Sequence, residues 1–129
     1  MPNPQVPLIR WRVLVVEDEY FLANDLRIAL TSLGAEVMPL AGDLQDAREQ
    51  IARSGFDIGI LDIDLRGDNS FALADELKRR AIPFIFSTGY GSELIPARFA
   101  DVPRWEKPFD ANALARHALQ LCRYGMTCQ

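Results

Sequence analysis

Ile58-Gly59-Ile60-Leu61-Asp62-Ile63-Asp64-Leu65-Arg66-Gly67-Asp68 is the stretch on which the fold turns. Its first part is a short unbroken apolar run; its second part breaks into acids and glycine. A run of this length between turn signals predicts a strand buried on both faces, the habit of a parallel sheet covered by helices. Asp62 falls where that strand ends. In open α/β sheets the crevice beyond the carboxyl ends of the strands is where ligands bind. Asp62 and Asp64 also suit a plain turn, because aspartate bonds readily to neighbouring backbone. The rest of the chain separates the two readings.

Working outward, strands and helices alternate. Arg12-Val13-Leu14-Val15-Val16 predicts a buried strand that ends in Glu17-Asp18-Glu19. The helix after it has Leu22, Leu26, Ala29, Leu30 and Leu33 as its apolar face and Gly34 as its stop. Val37-Met38-Pro39-Leu40 is a second strand, at a sheet edge because Pro39 cannot donate to a ladder. Asp43 caps a helix carrying Leu44, Ala47 and Ile51, which stops at Gly55. Beyond the central strand a loop runs to Asn69, and Ser70 opens a helix with Phe71, Ala74 and Leu77 inward. Pro83-Phe84-Ile85-Phe86 is the fourth strand, running into Ser87-Thr88-Gly89-Tyr90-Gly91. Helical signal from Ser92 to Ile95 is cut to about one turn by Pro96. Val102-Pro103-Arg104-Trp105 is a fifth strand, again at an edge, and Asp110 caps a last helix with Leu114, Ala118 and Leu121 inward.

The expected fold is therefore α/β: a five-stranded parallel sheet of order 2-1-3-4-5 with helices on both faces, flavodoxin-like, its fourth helix short or poorly formed. That order sets strands one and three side by side at the switch point where a crevice opens. One domain, 10–124, is expected between an N-terminal arm, 1–9, and a C-terminal tail, 125–129. A length of 129 residues suits a single core. The net charge of −4, with no cluster of Lys and Arg, argues against a nucleic-acid surface. No apolar run is long enough for membrane insertion, and Cys122 and Cys128 have no metal-ligand spacing. A cytoplasmic protein is expected.

Fold logic brings four signals to one end of the sheet: Glu17 and Asp18 from strand one, Asp62 from strand three, Thr88 from strand four and Lys107 after strand five. Carboxylates this close resist ionising together, and a hard divalent cation such as Mg²⁺ resolves the conflict. A lysine and a hydroxyl beside them suit a phosphoryl group. The chemistry implied is attack of a carboxylate on phosphorus to give an aspartyl-phosphate.

Val13 to Glu19, Leu61-Asp62 with Leu65 and Gly67, Ser87-Thr88-Gly89 and Lys107-Pro108-Phe109 together resemble the response-regulator receiver domain of bacterial two-component signalling. The resemblance implies Asp62 as phosphoacceptor and Glu17, Asp18, Asp62 and the backbone carbonyl of Asp64 as the Mg²⁺ site. It implies Thr88 as the switch hydroxyl, Lys107 as the phosphate-sensing cation and a cis Lys107–Pro108 bond. Phe86 to Gly91 is similar to the Phe-Ala-Thr-Gly-x-Tyr motif of an atypical receiver subclass found mainly in alphaproteobacteria. Two positions depart from the family: Arg104 stands where its switch aromatic lies, with Trp105 next door, and Arg66 replaces a customary proline. The switch is accordingly expected among Thr88, Tyr90, Arg104 and Trp105, with the loop from Gly89 to Phe99 reordering on phosphorylation.

The function this implies is a stand-alone response regulator of a two-component phosphorelay, a signalling phosphoprotein rather than an enzyme. It would assist its own phosphorylation and dephosphorylation. The expected partners are a sensor histidine kinase or a histidine phosphotransfer protein, approaching the first helix near Phe21 and Leu22, and an output protein. A homodimer through the last strand and helix, using Arg98 and Arg104, is a further option. The alternative is a phosphatase of the haloacid-dehalogenase type, with Asp62 as nucleophile and Asp64 as general acid.

Overall fold

The computed structural model describes residues 10–89 and 95–124. The expected N-terminal arm, the C-terminal tail, Tyr90 and the helical signal at 92–94 lie outside these residues. Five parallel strands form the sheet: β1 (Arg12–Val16), β2 (Glu36–Val37), β3 (Ile58–Asp62), β6 (Phe84–Thr88) and β7 (Arg104–Glu106). Their order is β2-β1-β3-β6-β7, which is the 2-1-3-4-5 arrangement read from the sequence. The helices are α1 (Tyr20–Ser32), α2 (Leu44–Arg53), α3 (Phe71–Arg79) and α4 (Ala111–Tyr124). Among the described residues none is long and apolar enough to cross a membrane.

The strands' period-two alternation splits the core between the two faces of the sheet. Leu14, Val16, Leu61, Phe84 and Phe86 pack with Ala47, Ile51, Leu73, Ala74 and Leu77, so α2 and α3 cover one face. Val13, Val15, Ile58, Ile60 and Ile85 pack with Leu26, Leu30, Leu114 and Ala118, so α1 and α4 cover the other. Gly59 is central to this packing: a Cβ there would stand 3.1 Å from Leu77 Cδ1 of α3.

Several boundaries differ from expectation. Pairing of β2 stops at Val37 and resumes only as an isolated Val16–Ala41 bridge, because Pro39 interrupts the ladder between them. The fourth strand runs on to Thr88, and the fifth starts at Arg104 rather than Val102. Leu33 caps α1 and is exposed, while Ala23 takes an inward place on that helix. The expected loop after Asp62 is a two-stranded hairpin, β4 (Asp64–Leu65) against β5 (Asp68–Asn69). Its two linking residues, Arg66 and Gly67, have φ of 53° and 90°. Positive φ at both centres is the turn whose twist matches the flanking strands.

Where the fourth helix of the pattern was expected, the described residues hold a 3₁₀ turn, Ala97–Phe99. Fully buried Phe99 anchors it, its ring meeting those of Phe71, Phe84 and Phe86 at centroid distances of 5.4 to 6.3 Å. Arg98 lies over the same ring and forms a two-pronged pair with Asp75 of α3. The Lys107–Pro108 bond is cis.

Candidate functional site

The carboxyl ends of four strands meet at one edge. Val16 ends β1, and register places it beside Leu61, so Glu17 lies next to Asp62, the last residue of β3. Asp62 pairs with Ser87, and Thr88 ends β6 opposite Glu106 of β7. Lys107 follows β7, and its N–H donates to the carbonyl of Thr88 at 2.7 Å. The sheet's register thus supplies the convergence that the sequence pattern predicted for Glu17, Asp18, Asp62, Thr88 and Lys107.

The side chains meet closely. Lys107 Nζ donates to Asp62 Oδ2 at 2.9 Å, to Glu17 Oε2 at 3.1 Å and to Glu19 Oε2 at 2.6 Å. Asp62 Oδ1 accepts the N–H of Asp64 at 3.1 Å, and Asp18 Oδ2 accepts the N–H of Arg66 at 3.1 Å. The hairpin turn is therefore tied to β1 through Asp18. The buried hydroxyl of Ser70 donates to the Asp62 carbonyl at 2.7 Å. An open cleft of about 340 Å³ above these groups is lined by Asp18, Glu19, Asp62, Asp64, Gly89 and Lys107.

Burial sets the electrostatics. Glu17 and Asp62 are each 3% exposed. Desolvation pushes the Glu17 carboxyl up to about 8; the Glu19 N–H opposes this, and the charge of Asp62 adds to it. Desolvation also raises Asp62 above the usual carboxylate range, against the pull of Lys107. Burial by itself would lower Lys107, but its bonds to Glu19, Asp62 and Glu17 outweigh this and hold the ammonium above the ordinary lysine value. Carboxylate oxygens of Glu17, Asp18, Glu19 and Asp62 all lie within 4.8 Å of one another. One ammonium cannot balance four ionised carboxylates. Glu17 Oε1 is buried and accepts no hydrogen bond, although Lys107 Nζ lies 3.1 Å away. An unpaired oxygen among crowded carboxylates fits a hard divalent cation.

The expected switch residues part company. Thr88 is buried at the end of β6, whereas Tyr90 lies outside the described residues. Arg104 sends its guanidinium to the carbonyl of Phe99 at 3.1 Å. Trp105 faces the other side of the sheet, against Phe109, and its indole N–H donates to His117 Nδ1 at 2.9 Å. Arg98 is engaged with Asp75 of its own chain. Two contacts escaped the sequence reading: Glu19 on Lys107, and Ser70 on the Asp62 carbonyl. Both residues stand at helix N-caps, where the pattern suggests only local roles.

Residues 13–118 match the response regulator receiver domain. The chain belongs to that family. It is 33% identical over 109 residues to the sensory transduction protein LytT of Bacillus cereus, a match covering 81% of this chain and 44% of that protein. The chain thus spans less than half the length of such curated relatives. Among solved structures it resembles SdrG from Sphingomonas melonis Fr1, with 33% identity, a TM-score of 0.75 and coverage of 88% of this chain and 97% of that one. A CheY-like receiver domain protein from Methanospirillum hungatei JF-1 shares the fold, with 22% identity, a TM-score of 0.77 and coverage of 89% and 95%. Receiver membership displaces the haloacid-dehalogenase alternative. The Asp64 carboxylate, which that chemistry would use as an acid, instead accepts the Gly67 N–H at 3.0 Å.

Proposed function

We propose that this receiver takes a phosphoryl group onto a carboxylate oxygen of Asp62 from a phosphohistidine of a sensor histidine kinase or histidine phosphotransfer protein. The observation that carries this reading is the Lys107 ammonium, held 2.9 Å from a buried Asp62 at the carboxyl edge of the sheet. A lone pair of the carboxylate forms the new O–P bond as the P–N bond breaks, and the imidazole nitrogen leaves with the electron pair. Desolvation leaves Asp62 poorly stabilised as an anion, which favours its use as a nucleophile once counter-charge is present. Lys107 offers a mobile point charge to the transferred oxygens, and the Thr88 hydroxyl offers a hydrogen bond. Glu17, Asp18, Asp62 and the Asp64 carbonyl would hold Mg²⁺, which when bound neutralises charge developing on those oxygens. The chain is in this reading a phosphoacceptor that assists the gain and loss of its own phosphoryl group, not a turnover enzyme.

Docking of the donor along α1 is supported by two exposed aromatics at its start. Tyr20 and Phe21 are 68% and 82% exposed and stack edge to face. Large apolar rings held in solvent beside a reactive cleft suit a partner's apolar surface. The signal would travel from Thr88 through the segment between β6 and β7, which Phe99 and Arg104 tie to the sheet.

Intact mass and peptide mapping after exposure to acetyl phosphate test the assignment. One phosphoryl group, on the peptide carrying Asp62 and dependent on magnesium, is expected; Asp62→Asn should take up none. Phosphorylation of that variant at the wild-type rate would refute the role given to Asp62.

A further inference from the structure

The phosphoryl chemistry leaves one partner of Lys107 without a role. Glu19 Oε2 is nearer to the ammonium, at 2.6 Å, than Asp62 at 2.9 Å or Glu17 at 3.1 Å. Glu19 is the N-cap residue of α1, yet its side chain forms no cap hydrogen bond. Its backbone is anchored on both sides. The Glu19 N–H donates to Glu17 Oε2 at 3.0 Å, and the Glu19 carbonyl accepts the Ala23 N–H at 2.9 Å. The carboxylate is thereby delivered across the cleft to Lys107 instead of back onto its own helix.

An ammonium has three N–H donors, and here all three are taken, by Glu17, Glu19 and Asp62. Esterification of Asp62 frees the donor it now holds, and to follow the phosphoryl oxygens outward the ammonium must also loosen its hold on Glu17 or Glu19. Glu17 is buried, so release there would leave a carboxyl oxygen without its donor and with no water to replace it, the costly direction. The Glu19 side chain is 61% exposed, and water replaces the lysine there at small cost. Glu19 is the partner that yields.

We propose that Glu19 is a positioning residue: it holds the Lys107 ammonium in the unphosphorylated protein and surrenders it when Asp62 carries a phosphoryl group, so that it sets how readily Lys107 engages. This rests on the reading of Asp62 as acceptor. A pair with one partner largely in water shifts an equilibrium by about two- to fivefold.

The test compares the wild type with Glu19→Gln and Glu19→Asp. Glu19→Gln removes the charge; Glu19→Asp keeps the charge but shortens the side chain by one methylene and loses the contact. The Lys107 Cε and Nζ resonances are followed by NMR in the metal-free protein, and beryllofluoride, a phosphoryl mimic, is then titrated with magnesium. Both variants should move the Lys107 resonances before any ligand is added, and both should bind beryllofluoride about two- to fivefold more tightly. Tighter binding by Glu19→Gln alone would trace the effect to charge rather than to the contact and overturn the proposal. Unchanged Lys107 resonances, or unchanged affinity in both variants, would overturn it as well. A wild-type protein that bound no beryllofluoride would instead bring down the Asp62 reading beneath it.

Discussion

Ser70 illustrates how one hydroxyl can be read two ways. It occupies the N-cap of α3, where serine ordinarily satisfies an unpaired helix N–H. Its Oγ donates instead to the carbonyl of Asp62 and makes no cap bond. The contact fixes the strand end that presents the Asp62 carboxylate. Ser70→Ala would leave that carbonyl without this donor at a fully buried position, and should cost about 1 kcal/mol. Urea unfolding measures this: the midpoint should fall with the slope unchanged, and an unmoved midpoint would mean the contact carries nothing. Ser70 and Glu19 were illegible for the same physical reason. A capping residue and a residue reaching across the fold look alike in one dimension, because only the partner's position tells them apart. Asp62 and Lys107 were legible only together, because the alternation of strands and helices carries both to the same end of the sheet, where either alone reads as a turn or solvated residue.

At the scale of elements, the β4–β5 hairpin explains why Arg66 stands where the family's resemblance leads one to expect proline. Arg66 has φ of 53°, and its N–H donates to Asp18 Oδ2. Proline is locked near −65° and has no N–H to give. Arg66→Pro should therefore lose the turn and its tie to β1 together, costing at least about 1–3 kcal/mol and weakening magnesium binding. Arg66→Asn, which tolerates positive φ, should be nearly neutral. Chemical denaturation and a magnesium titration of both variants would decide this; a Pro variant as stable and as tight as the wild type would contradict the hairpin's role. The sequence pattern read this segment as a loop, since two residues on either side of a turn are too few for alternation to register. Pro39 and Pro96 were more informative: one marked the edge where β2 breaks off, the other the stretch where only a 3₁₀ turn survives among the described residues.

For the molecule as a whole, the crowded acids are a liability that a bound cation would relieve. A ligand that binds only the folded state stabilises it by about 2.7 kcal/mol at a hundred times its dissociation constant. Magnesium at that excess should raise the melting temperature by several degrees, and Asp18→Asn should lose most of the rise. A melting curve indifferent to magnesium would mean that Glu17, Asp18 and Asp62 hold no cation. The sequence by itself determined the layered sheet, its strand order and the edge at which chemistry gathers. These follow from apolar periodicity and proline placement, which are local, and from chain-crossing rules that leave few ways to stack alternating strands and helices. Only the tertiary structure decided which carboxylates share the Lys107 ammonium, that Trp105 turns toward His117, and that Arg66 closes a hairpin. Those depend on strand register and on distances between residues far apart in the chain, and no one-dimensional pattern encodes a distance.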